Sequence, residues 1–93
     1  MKAVYHTHGT CSQAIELEVN DLDHTVQSVN FVGGCSGNTQ GISMLVRGQK
    51  AEDVINRLQG IRCGMKNTSC PDQLAIALAE AVRRIERNKE TNE

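Results

Sequence analysis

Ninety-three residues carrying one Tyr, one Phe and no Trp define one small domain with an aliphatic core. Ten Lys and Arg against eleven Asp and Glu give a net charge of −1, with both signs interleaved. That balance supplies no basic footprint for nucleic acid or an anionic membrane, and two aromatics make no base-stacking platform.

The opening MKAVYHTHGTCS has one Lys but no apolar core of a signal peptide, and no run approaches a membrane span. A cytoplasmic protein is expected. In that compartment four cysteines read as metal ligands or redox thiols ahead of structural disulfides. Simple burial is the plainer alternative, because a free Cys packs as a small hydrophobe.

Residues 3–8 are rich in β-formers and predict a first strand, with His6 and His8 on one face and expected to be solvated. Gly9-Thr10-Cys11-Ser12 reads as a turn. Ile15, Leu17 and Val19 alternate with Glu16, Glu18 and Asn20, the period of a strand with one wet face. Asp21-Leu22-Asp23-His24 reads as a turn with His24 exposed, and residues 25–32 form the third strand through Val29 and Phe31. Short links between successive strands predict an antiparallel meander.

Gly33-Gly34-Cys35-Ser36-Gly37-Asn38 follows, with enough glycine to let backbone approach something at Cys35 closely. It contains no phosphate-loop pattern. After Asn38, Ile42, Leu45 and Val46 fit one helical face, closed by Gly48. A second helix over 51–59 carries Val54, Ile55 and Leu58 inward and stops at Gly60, with Lys50, Glu52, Asp53 and Arg57 outward. The last helix begins near Cys70, where Pro71 suits a first turn and Ser69 with Asp72 has capping-box spacing. Leu74, Leu78, Ala81, Val82 and Ile85 form its apolar stripe. The domain is expected to occupy residues 1–87, with 88–93 a disordered tail. Strands followed by helices define an α+β fold, a three-stranded antiparallel sheet with three helices packed on one face.

The cysteines fall at the ends of elements. Cys11 precedes the second strand, Cys35 follows the third, Cys70 opens the last helix, and the loop with Cys63 leads into Cys70. In a meander, the start of the second strand and the end of the third share one sheet edge. Cys11, Cys35, Cys63 and Cys70 are therefore expected to converge as metal ligands. Four thiolates suit tetrahedral zinc or an iron–sulfur cluster, although no C-x-x-C pair settles the choice. A Cys63–Cys70 dithiol is the redox alternative. Cys70 stands where unpaired N–H groups and the helix dipole favour thiolate. No Ser–His–Asp or Cys–His arrangement follows from spacing.

Thr68-Ser69-Cys70-Pro71-Asp72 spells the signature of the TSCPD domain family. Gly9-Thr10-Cys11-Ser12, Gly33-Gly34-Cys35-Ser36-Gly37-Asn38, Gly41-Ile42, Gly60-Ile61-Arg62-Cys63-Gly64 and Gln73-Leu74-Ala75 also resemble that family, over roughly residues 5–82. Such domains occur as short stand-alone proteins and at the C-terminus of adenosylcobalamin-dependent ribonucleotide reductases. The resemblance implies an accessory role in deoxyribonucleotide synthesis beside a large reductase subunit. That subunit would hold the catalytic barrel and the adenosylcobalamin, which this chain is too short to house. Zinc held by the four cysteines is the expected metal.

The order of Cys11, Gly34-Cys35 and the helix-opening Cys70 is also distantly similar to iron–sulfur scaffolds of the IscU/NifU type, and the expected fold is SufE/NifU-like. Those scaffolds carry an Asp two residues after the first cysteine and often a His before the third, where this chain has Gln13 and Ser69. Cys63 adds a fourth thiol, which favours a closed metal site.

Overall fold

The computed structural model describes residues 1–7, 12–33, 36–62 and 68–91, with the side chains of 12, 36–38 and 89–91 outside that description. The strands are β1 (Lys2–His6), β2 (Ser12–Val19) and β3 (Val26–Gly33), and the helices are α1 (Ser36–Val46), α2 (Ala51–Leu58) and α3 (Cys70–Thr91). The sheet is an antiparallel meander in the order β1-β2-β3. Tyr5 pairs with Ile15 and Ile15 with Phe31, while Leu17 pairs with Ala3 and Val29. Alternation sends Ile15 and Leu17 to one face and leaves Glu16 on the other, and Val19, beyond a register shift at Glu18/Val19, is buried as well.

All three helices contribute to a single core on that face. Ile15, Leu17, Val19, Val26 and Val29 from the sheet join Val46 of α1, Ala51 and Val54 of α2, and Leu74, Leu78, Ala81 and Ile85 of α3. Leu74 and Leu78 are wholly buried, so α3 supplies the centre of the packing. The expected α3 stripe is present, and Ala75 and Ala77 widen it, because α3 packs on β2 and on both other helices. The opposite sheet face, with Lys2, Glu16 and Ser28, lies open to solvent.

Both expected glycine stops are real. Gly48 and Gly60 adopt φ of 82° and 84°, the left-handed region that ends helices. The segment after Gly48 is not a free loop. Gly48 N–H donates to Val26 O at 2.8 Å, Val26 N–H to Gln49 O at 2.8 Å and Ala51 N–H to His24 O at 2.8 Å. The α1–α2 link is thereby stitched to the start of β3, and α2, which lacks a side-chain cap, finds a partner for its first N–H.

Three expectations need correction. Leu45 is 77% exposed, as is much of Met44 beside it, while Ile42 and Val46, one turn apart, face the core. Helix α1 packs chiefly along β3, the edge of the sheet, so its buried arc is narrower than an amphipathic pattern implies. Helix α3 continues through Thr91, past residue 87, where the domain was expected to end. Arg87, Lys89 and Glu90 are good helix formers, so propagation needs no core to extend it.

His24 is the third correction. Its side chain is only 13% exposed and sits between two helices, with Nδ1 2.5 Å from Glu52 Oε2 of α2 and Nε2 2.9 Å from Glu86 Oε1 of α3. The first contact is a hydrogen bond; at the second, the nitrogen and the carboxylate oxygen meet without hydrogen-bond alignment. To reach them His24 takes a φ of 62°, which costs a β-carbon-bearing residue about 1–2 kcal/mol. Burial opposes ionisation of Glu52, but the His24 hydrogen bond, with backbone and Lys50 contributions, outweighs it and holds that carboxyl below its ordinary value. The backbone N–H of Thr25 leads in doing the same for Asp23 in the adjoining turn.

Two outcomes follow. In urea denaturation His24→Gly destabilises less than His24→Ala, by about 1 kcal/mol, because both lose the contacts and glycine relieves the strain. Carboxyls with lowered folded values add stability above their unfolded titration and lose it as pH falls through the folded one. Acid titration of Glu52→Gln, followed by circular dichroism, therefore shows a shallower loss of stability than the parent on the acid side.

Candidate functional site

The five signature residues stand at the junction of α2 and α3. Ser69 is the N-cap of α3: its Oγ accepts from Asp72 N–H at 3.2 Å, and its carbonyl accepts the first helical bond, from Gln73 N–H at 2.8 Å. Pro71 fills a first-turn position whose N–H would have no partner. This half of the expected capping box is present.

The other half goes elsewhere. Asp72 does not turn back to Ser69. Its Oδ1 accepts from the backbone N–H of Gly60 at 2.7 Å, and its Oδ2 accepts from the Thr68 hydroxyl in a short contact. Gln73 Nε2 donates to Thr68 Oγ1 at 2.9 Å, and Ser69 Oγ–H donates to Ile61 O at 2.6 Å. Ser69, Asp72 and Gln73 are all buried. The polar residues of the signature thus form a closed network that ties the end of α2 to the mouth of α3. A satisfied buried network of this kind fixes one arrangement. The Gly60 N–H, beyond a helix end, is the donor that Asp72 was built to meet.

Cys70 is the first residue of α3 and is buried, with 7% exposure, beside this network. It is a free thiol. Cys11, Cys35 and Cys63 lie outside the described residues, as does His8. Their described chain neighbours are informative. Ser12 and Gly33, flanking the first two cysteine segments, are register partners at one end of the sheet. Tyr5, on that half of β1, has its phenol pushed up by burial, with the carboxylates of Glu80 and Asp72 adding to the effect. Glu86, late in α3, meets His24 at the β2–β3 turn, the opposite end of the sheet, so the first turn of α3 lies toward the Ser12–Gly33 half. Among the described residues no three His, Cys, Asp or Glu side chains form a ligand set. His6 is exposed, as expected.

Together these features define an α+β domain whose longest helix opens with a buried cysteine in a hydrogen-bonded clasp. The chain belongs to the TSCPD domain family, whose model matches residues 2–82. No curated protein and no solved structure matches it. No helix among the described residues is long and apolar enough to cross a membrane.

The role of Thr68 and Asp72 in joining two helices carried no local signal beyond the capping spacing, because the partner, Gly60 N–H, is twelve residues away. The expected outcome of Asp72→Ala is a loss of about 2–3 kcal/mol in urea unfolding, since it strands Gly60 N–H and removes a charged acceptor. Asp72→Asn keeps an acceptor for Gly60 and costs less, about 1 kcal/mol on the same measurement.

Proposed function

We propose that this chain is an accessory module of ribonucleotide reduction that binds one zinc through Cys11, Cys35, Cys63 and Cys70. The reading rests first on family membership. The observation that supports the metal site is the pairing of Ser12 with Gly33 at the half of the sheet toward which the Cys70 end of α3 is directed, Glu86 at the other end of the helix meeting His24 in the β2–β3 turn. Four thiols suit a tetrahedral zinc in which every position is filled by protein, a structural rather than catalytic arrangement. When bound, zinc would cross-link segments distant in sequence and so add to the stability of a small domain. The partner is a large reductase subunit, which would supply adenosylcobalamin and the catalytic barrel. The chain offers that partner a folded docking module and carries out no step of the reduction alone.

Elemental analysis and a visible spectrum of protein purified without air or chelator test the site. About one zinc per chain and no colour is the expected result. Iron with inorganic sulfide would replace this reading by a cluster carrier. No metal, with four titratable thiols, would leave a Cys63–Cys70 dithiol or cysteines that serve only as small hydrophobes. On the zinc reading Cys35→Ser lowers the melting temperature and abolishes the protective effect of added zinc, because site and fold are thermodynamically linked.

A further inference from the structure

β1 is an outer strand of the sheet, and among the described residues no strand pairs with its free edge. Which groups that edge presents follows from the ladder with β2. Met1 and Val19 exchange both backbone bonds, and Thr7 N–H donates to Gln13 O at 3.2 Å. Hydrogen-bonded pairs in an antiparallel ladder recur at every second residue, so Ala3 and Tyr5 bond inward to Leu17 and Ile15. Lys2, Val4 and His6 therefore turn their N–H and C=O groups outward. Val4, the middle one, is 55% exposed. The other outer strand differs: Val26 of β3 already bonds Gln49 and Gly48, and α1 packs along that strand.

On the core side of the β1 edge, a narrow cleft separates Val4 and Tyr5 from Ala77, Glu80, Ala81 and Arg84 of α3. Glu80 and Arg84 form an exposed ion pair at 2.8 Å, and Ile76, one turn before Glu80, is 41% exposed. Helix α3 runs opposite to β1, because its late residue Glu86 meets His24 beyond the Val19 end of β2, which is the Lys2 end of β1. Four helical residues rise about 6 Å and two strand residues about 6.6 Å. Glu80 and Arg84 thus bracket the level of Val4, with Glu80 on the Tyr5 side and Arg84 on the Ala3 side.

We propose that this edge binds a second copy of the chain: the two β1 strands pair antiparallel about a two-fold axis at Val4, and the two sheets become one. Val4 bonds its own counterpart, and Lys2 of each copy bonds His6 of the other. The same axis brings Glu80 of each copy to Arg84 of the other, so the flank is self-complementary in charge. Main-chain bonds and burial of Val4 supply affinity, while the ion pairs fix register and partner. Such a contact uses one patch on both copies and closes at a dimer, leaving no route to open-ended growth through β1. The surface is independent of the metal reading.

Sedimentation equilibrium of the full chain is expected to give twice the single-chain mass. Amide exchange followed by NMR is expected to show the Val4 and His6 N–H groups protected in step with the dimer fraction. Val4→Pro removes an outward N–H that the fold itself does not use, so it leaves the circular dichroism spectrum unchanged and abolishes the dimer. Glu80→Arg and Arg84→Glu, which leave the backbone alone, each set like charges across the axis and weaken dimerisation about tenfold, and the double swap restores it to within about threefold. A single-chain mass at every concentration up to about 1 mM overturns the proposal. So does a dimer that leaves those two amides unprotected, that survives Val4→Pro, or that the double swap fails to restore. If the Val4→Pro chain does not fold, amide protection and the charge variants decide.

Discussion

Burial of one face of a three-stranded sheet beneath α3 is the constraint on which the rest of this molecule depends. The chain has almost no aromatic side chains, so the apolar area that offsets chain entropy must come from many aliphatic contacts held at high density. Leu74, Leu78, Ala81 and Ile85 provide that surface as a single stripe, facing Ile15, Leu17 and Val19. The small residues on α3, Ala75 and Ala77, are buried as well. They allow the other two helices to approach it closely. Helices α1 and α2 are short and would be marginal in isolation. Their contribution to the core is conditional on α3 being in place.

The start of α3 therefore has two duties. It must be placed accurately for the stripe to meet the sheet, and it carries the cysteine at the centre of the candidate site. The signature meets both through side chains that bond outward to Gly60 and Ile61 as well as inward to the helix. Its identity as a family motif thus has a physical content independent of any metal. Thr68 links Asp72 to Gln73, while Ser69 and Asp72 also meet the backbone of Ile61 and Gly60, so removing Asp72 would leave the Gly60 N–H without its partner.

Much of the fold was legible because its rules are local. Alternation in Ile15, Leu17 and Val19 fixed the sheet face, and Gly48 and Gly60 marked helix ends through the one backbone region glycine enters freely. Ser69 and Pro71 located the start of α3. What escaped depended on distant partners. Nothing in Asp21-Leu22-Asp23-His24 announces that the imidazole meets Glu52 and Glu86 from two helices remote in sequence. Leu45 looked buried because periodicity reports which residues share a helical face, not how wide an arc the neighbours cover. In the site, the capping spacing of Ser69 and Asp72 was visible, but the turn of Asp72 toward Gly60 is a tertiary choice. Cys70 stands where the sequence put it, at the mouth of the helix.

The two left-handed glycines that end α1 and α2 have a stereochemical consequence. At both Gly48 and Gly60 the space a β-carbon would enter is empty within 4 Å, so the bar to a side chain there lies in the handedness of the backbone and not in crowding. A D-residue inverts that preference: positive φ is its ordinary right of way. Chemical synthesis could place D-alanine at either position with fewer unfolded conformations left to lose, so these two joints would stiffen under mirror-image chemistry while L-alanine strains them.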